Sequence, residues 1–163
     1  MEIVYLLLGS NLGDRNAYLK EARQLLEKTV GRQMRSSSVY ETQSWGMENL
    51  PDYLNQVLEM ETNLSPAIIL KKTQEIEEKL HRERTNKWHS RTIDIDILFL
   101  GKTIINLPEL QIPHPELQNR LFTLAPLDEL IPDFIHPVFK KTIHELKQEV
   151  KDELLVTKYL LTL

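Results

Sequence analysis

Thr92-Ile93-Asp94-Ile95-Asp96-Ile97-Leu98-Phe99-Leu100 carries the clearest period in the chain. Isoleucine alternates with aspartate every second residue, the repeat of a pleated strand. Ile93, Ile95 and Ile97 therefore share one face, and Asp94 and Asp96 share the other. Gly101 and Lys102 follow as a two-residue turn with glycine first, as a type II′ hairpin requires, so the chain is expected to return through 103–105. Upstream, 53–62 reads as a second long strand. Between the two strands, Ser65 is a helix cap and Pro66 the first helical residue. Ile69, Thr73, Ile76 and Leu80 then mark one face of a helix ending near His81.

Further out, 1–8 is β-rich and ends in the turn cluster Gly9-Ser10-Asn11-Leu12-Gly13-Asp14. Leu19, Ala22, Leu25 and Leu26 recur at helical spacing, with Asp14 as N-cap and Gly31 as the stop. A strand over 36–42 and a loop over 43–51 follow. Residues 81–90 are polar, basic and aperiodic, so they read as a loop. Most of the eight prolines lie between 108 and 137, a stretch of loops and short elements with a helix near 126–130, and a last helix covers 142–150. The order β-α-β-β-α-β predicts one α+β domain over 1–163. Its core is a ferredoxin-like βαββαβ arrangement with an antiparallel sheet and extra C-terminal hairpin and helical elements.

The chain has 163 residues, with 20 Lys plus Arg against 24 Asp plus Glu, a net charge of −4 that argues against a general binder of nucleic acid or anionic membrane. A hydrophobic share of 41% supplies a core and removes the case for disorder. Zero cysteines exclude a disulfide framework, a thiolate metal site and a thiol nucleophile. The apolar run 3–8 is too short for a membrane span or a signal-peptide core, so a cytoplasmic protein is expected.

The strand 92–100 also holds the sharpest chemical signal. Asp94 and Asp96 should stand about 6–7 Å apart between Cα atoms, near enough to converge on hard cations such as Mg²⁺. The alternative is a solvated face with ordinary alternating charge. Two like charges in a strand are locally unfavourable unless something offsets them. Arg82, Arg84, Lys87 and Arg91 lie immediately upstream, and His114 and Arg120 add two donors. Acids that hold a cation beside bases that neutralise phosphate form a nucleotide–metal arrangement. The glycine-rich turn after the first strand is not a phosphate loop, since it lacks both Gly-Lys-Ser/Thr and G-x-G-x-x-G; it reads as a structural turn or a lid. Trp45, Tyr53, Asn55 and Phe122 can form a slot for a flat heterocycle, or Tyr53 and Phe122 can be core residues. Trp88, between Lys87 and His89, suits a lid that packs on a ligand, or a partner contact.

Across nearly its whole length the chain resembles the 6-hydroxymethyl-7,8-dihydropterin pyrophosphokinases of the folate pathway. The matching segments are Leu8-Gly9-Ser10-Asn11-Leu12-Gly13-Asp14, Tyr40-Glu41-Thr42, Pro51-Asp52-Tyr53-Leu54-Asn55, Gln74-Glu75-Ile76-Glu77, Arg91-Thr92-Ile93-Asp94-Ile95-Asp96-Ile97, Ile112-Pro113-His114-Pro115 and Asn119-Arg120-Leu121-Phe122. The resemblance implies transfer of the β,γ-diphosphoryl unit of MgATP to the hydroxymethyl oxygen of the pterin, with release of AMP. It implies that Asp94 and Asp96 hold two Mg²⁺ ions and that Arg82 and Arg91 join them in catalysis. Arg82, Arg84, Lys87, Arg91, His114 and Arg120 are the implied phosphate ligands, and Gln74, Glu77, Trp88 and Ile97 complete the nucleotide side. Thr42, Gln43, Trp45, Gly46, Tyr53, Asn55 and Phe122 match positions around the pterin. Asp96 is the candidate proton acceptor. The segments 9–15, 45–51 and 81–89 are expected to close over bound ATP. The partners are then two small molecules, ATP and the pterin, with no nucleic acid, no membrane and a monomeric chain. A catalytically silent binding domain is one rival. An RNA-binding ferredoxin-like module is another, but it calls for strand aromatics that are missing here.

Overall fold

The computed structural model of the chain describes residues 1–42, 52–81 and 92–159. Its centre is β1 (Glu2–Ser10), antiparallel to β4 (Tyr53–Thr62) on one side and to β5 (Asp94–Leu100) on the other. Two short strands, β2 (Arg32–Ser36) and β3 (Tyr40–Thr42), pair with the far edge of β4, and β8 (Val156–Lys158) pairs with β3. The strand order is β5-β1-β4-β3-β8, with β2 beside β4. A separate ribbon joins β6 (Ile105–Leu107) to β7 (Leu110–Ile112).

Helices cover both faces. On one, α1 (Arg15–Thr29) and α2 (Pro66–His81) bury Leu19, Ala22, Leu26, Ile69 and Ile76 against Val4, Leu6, Leu8, Ile93, Ile95 and Ile97. Asp14 caps α1 by accepting from the Ala17 amide at 3.1 Å, as its position before the first apolar residue predicts. On the other face, α3 (Leu121–Leu130) and α4 (Ile143–Glu149) enclose Tyr5, Leu7, Val57, Leu98 and Phe99. Thr142 and Glu145 form a reciprocal capping box at the start of α4. The architecture is a mixed one of helices on an antiparallel sheet, as expected. Among the described residues no helix is long and apolar enough to cross a membrane.

The period of two in β5 holds as far as Leu98 and breaks at Phe99. Tyr5 pairs with Phe99 and Leu6 with Ile97, so Leu98 is an extra residue, and Leu98 and Phe99 both pack into the α3–α4 cluster. Asp94 and Asp96 precede this bulge and keep the face opposite the isoleucines.

Four sequence expectations are corrected. The strand expected over 36–42 is two strands that begin earlier. The serine run breaks it, because the buried Ser37 accepts from the Val57 amide through its hydroxyl while its own amide donates to Val57 O. The turn at Gly101 forms, with a φ of 52° and a Thr103 amide bond to Leu100 O, yet the returning strand pairs with β7 instead of β5. The edge of β5 is taken by other groups: Glu77 accepts from the Ile95 amide at 2.8 Å, and the His114 amide donates to Leu98 O. The helix expected at 126–130 starts at Leu121, because the carboxylate of Asp152, 31 residues away, accepts the Leu121 amide. Finally, β1 runs two residues further than 1–8, so Gly9 and Ser10 are fixed in the sheet and the turn begins at Asn11.

Candidate active site

The ends of five elements converge on the sheet face that α3 and α4 only partly cover. Register places Gly9 between Asp94 of β5 and Asn55 of β4, with Tyr40 beyond Asn55. One step along the same face, Leu7 stands between Asp96 and Val57. Thr42 pairs with Tyr53. Because Gly9 has no side chain, the floor between Asp94 and Asn55 is open; a Cβ there would sit 2.8 Å from Asn55 Nδ2. The result is a cavity of about 370 Å³ lined by Leu7, Gly9, Thr42, Tyr53, Asn55, Asp94, Asp96, Arg120, Phe122 and Leu154.

Seven of these were expected from sequence: Thr42, Tyr53, Asn55, Asp94, Asp96, Arg120 and Phe122. Leu7, Gly9 and Leu154 were not. Gly9 carried a signal, a glycine ending a strand of large apolar residues, which marks close approach of another group. Leu7 looks like any core leucine, and Leu154 lies in a segment with no periodicity.

Two polar atoms give the cavity its character. Asn55 and Thr42 are only 4% and 3% exposed, yet Asn55 Oδ1 and Thr42 Oγ1 have no hydrogen-bond partner among the described residues. The Asn55 side-chain amide donates a long bond of 3.5 Å to Leu8 O. Buried polar atoms are rarely left unmet, so both are set for a ligand. The Arg120 guanidinium lies 5.6 Å from the centroid of the Phe122 ring, which holds cation and aromatic face together at one wall.

A second cavity of about 240 Å³ opens on the edge side of β5 and includes Asp96, Ile97, His114, Ile95 and Leu70. Asp96 borders both cavities. His114 Nδ1 accepts from the Glu116 amide at 3.1 Å, which puts the ring proton on Nε2, 4.0 Å from Asp96 Oδ2. Burial pushes the His114 pKa down, against the pull of the Asp96 carboxylate, and Arg120 lowers it further. At neutral pH His114 is thus a neutral ring with one N–H directed at this junction. Gln74 is exposed on α2, and Glu77 anchors the β5 edge through the Ile95 amide. Gln43, Trp45, Gly46, Arg82, Arg84, Lys87, Trp88 and Arg91 lie outside the described residues.

Among the described residues no group of three or more His, Asp or Glu side chains forms a closed metal cage. The two carboxylates on one strand face are a different donor set. One or two carboxylates, with waters and substrate phosphates completing the shell, are what Mg²⁺ takes in nucleotide sites, so these residues fit that ion.

The comparisons with known proteins agree with this geometry. The sequence profile of the family described as 7,8-dihydro-6-hydroxymethylpterin-pyrophosphokinase (HPPK) matches residues 5–132. The 2-amino-4-hydroxy-6-hydroxymethyldihydropteridine pyrophosphokinase of Aquifex aeolicus is 42% identical over 149 residues, covering 91% of this chain and 92% of that one. The protein of the same description from Bacillus subtilis is 43% identical over 129 residues, covering 78% and 77%. In structure, the chain is similar to wild-type HPPK-DHPS of Plasmodium falciparum, with a TM-score of 0.74 and 19% identity over 91% of this chain. The chain spans 44% of that longer protein.

Proposed function

The chain belongs to the 7,8-dihydro-6-hydroxymethylpterin-pyrophosphokinase family, and from that membership we propose which of its residues act and how. It is an ATP-dependent pyrophosphokinase of folate biosynthesis: the β,γ-diphosphoryl unit of ATP passes to the hydroxymethyl oxygen of 6-hydroxymethyl-7,8-dihydropterin, and AMP leaves.

The pterin occupies the 370 Å³ cavity, over Leu7 and Gly9, with Tyr53 and Phe122 against its ring. Asn55 and Thr42 take up its polar edge. One observation carries this reading: Asn55 Oδ1 and Thr42 Oγ1, buried and without a hydrogen-bond partner among the described residues, lie in the same cavity as both aspartates. Asp94 and Asp96 hold two Mg²⁺ ions, which when bound offset the charge of the triphosphate. The junction of the two cavities at Asp96 supports a nucleotide that enters from the Ile97–His114 side and meets the pterin across β5. There His114 Nε2–H and Arg120 donate to phosphate oxygens, and Gln74, Glu77 and Ile97 flank the nucleotide. Arg82, Arg84, Lys87, Trp88 and Arg91 complete the phosphate side, and Gln43, Trp45 and Gly46 the pterin side. Little covalent work is left to the protein: it lines up the attacking oxygen, offsets charge and keeps water out.

The strand order supports a ferredoxin-like core, with β5, β1, β4 and the β2–β3 edge as its four positions. A monomeric, cytoplasmic enzyme acting on two small molecules fits this reading. The test is incubation with ATP, Mg²⁺ and the hydroxymethyl dihydropterin. AMP and the pterin diphosphate are the expected products, and ADP as the sole nucleotide product would contradict the assignment.

A further inference from the structure

We propose that Asp152, Leu154 and Val156, outside the family-matched 5–132, build a fixed wall of the pterin slot. Leu154 sets how tightly the pterin is held, and Asp152 is a positioning residue for Arg120 and Phe122. This rests on the slot being the pterin site.

Leu154, Arg120 and Phe122 line the 370 Å³ slot and also a neighbouring cavity of about 840 Å³ that reaches Leu146 and Val150 on and just after α4. These three side chains therefore stand between slot and cavity. What holds them there is Asp152. Its Oδ2 accepts from the Leu121 amide at 3.1 Å, and its Oδ1 accepts from the Leu154 amide at 3.0 Å. Arg120, the N-cap residue of α3, offers no side-chain cap of its own. One carboxylate thus supplies the missing cap and fixes the turn that presents Leu154. Beyond the turn, β8 locks the segment to the sheet in register, with Val156 opposite Thr42 of the slot. The Tyr159 amide donates to Val39 O, and the Arg15 guanidinium stands 5.5 Å from the Tyr159 ring centroid. The wall is anchored at both ends, and an apolar side chain closes the slot between them.

The experiment measures KM for the pterin and for MgATP, kcat and thermal midpoint for the whole chain and three variants. Leu154→Ala removes the wall contact, Asp152→Asn keeps the shape but one amide acceptor, and Leu155→Ala alters a neighbour that is 66% exposed. Leu154→Ala is expected to raise the pterin KM about tenfold, the scale of a lost apolar contact in a substrate pocket. Asp152→Asn should raise it in the same direction. Both should leave the ATP KM within about twofold, and Leu155→Ala should change neither. A pterin KM within about twofold of the parent in Leu154→Ala overturns the proposal. So does a parallel rise of both KM values with a lower thermal midpoint, because a merely structural segment behaves that way. If Asp152→Asn does not fold, Leu154→Ala decides alone. An unmodified chain that releases no AMP from ATP and pterin refutes the pterin reading itself, a result distinct from any variant effect.

Discussion

Gly9→Ala tests the open floor of the slot with one methyl group. Gly9 lies in β1 and is not among the positive-φ residues, so alanine suits its backbone. The added Cβ would make ordinary contact with Tyr53 Cδ1 at 3.9 Å and Leu54 O at 4.0 Å, but would stand 2.8 Å from Asn55 Nδ2. Ordinary contact begins near 3.4 Å, so the Asn55 amide must retreat by about 0.6 Å. It is free to do so, since its bond to Leu8 O is already long at 3.5 Å. The fold therefore escapes with a loss of about 1 kcal/mol or less, and the burden falls on the ligand that Asn55 orients. Displacement of a positioning group by 1 Å costs up to about a hundredfold. The expected loss for 0.6 Å is roughly 10- to 50-fold, or about 1.4–2.3 kcal/mol. Steady-state AMP release with the pterin varied at saturating MgATP reads it as a raised pterin KM, with ATP KM and circular dichroism unchanged. A pterin KM within threefold of the parent in a folded protein would refute the argument that Gly9 is bare to make room for Asn55.

Asp94→Asn and Asp96→Asn should each lower turnover by at least about a hundredfold if the carboxylates hold Mg²⁺ against the triphosphate as proposed. Thermal stability should hold or rise as like charges are removed, and a fall in both stability and activity would make the pair structural. Chelation of divalent ions should stop AMP release by the parent and be reversed by Mg²⁺. His136, 2% exposed beside Phe99 and Phe139, has its pKa lowered by burial from 6.5 to about 4. The unfolded chain binds that proton between pH 6.5 and 4 while the native one does not, so stability falls as pH drops through this window, by about 3 kcal/mol at most. His136→Asn keeps an acceptor for the Val138 and Phe139 amides and should flatten that slope in urea titrations; an equal slope removes His136 as its cause. Gly31→Ala would place a Cβ 2.0 Å from the backbone oxygen of Glu61, which cannot rotate away. A loss of about 3 kcal/mol in urea unfolding at constant m is expected, and a loss below 1 kcal/mol would show that the α1–β2 turn can yield.

The sequence was informative wherever one short segment decides its own state. Strand 53–62 and helix 66–81 match at both ends, because alternation, a Ser-Pro start and a single buried stripe fix them locally. Asp94 and Asp96 face one way as their period demands. What escaped depended on distant residues. The start of α3 is set by Asp152, the edge of β5 by Glu77 and the break after β2 by Ser37. Leu154 enters the site by folding back across the sheet edge, and nothing in its own neighbourhood announces that. Leu7 was visible as a strand residue and Gly9 only as the start of a turn, and the place of both in the floor follows from register with β4 and β5.

The extra residue at Leu98 has a consequence for how the strand can change. It acts as a half-turn in a thread: ahead of it the acids line the slot, behind it Phe99 points to the interior on that same side. Without that half-turn, keeping Phe99 in place would rotate the acids toward α1 and α2 and bring the isoleucines into the slot. Deleting Leu98 would have no such effect, because Ile97 and Phe99 would then alternate regularly and the acids would keep their side; the strand can lose its bulge by shortening but not by flattening with every residue kept.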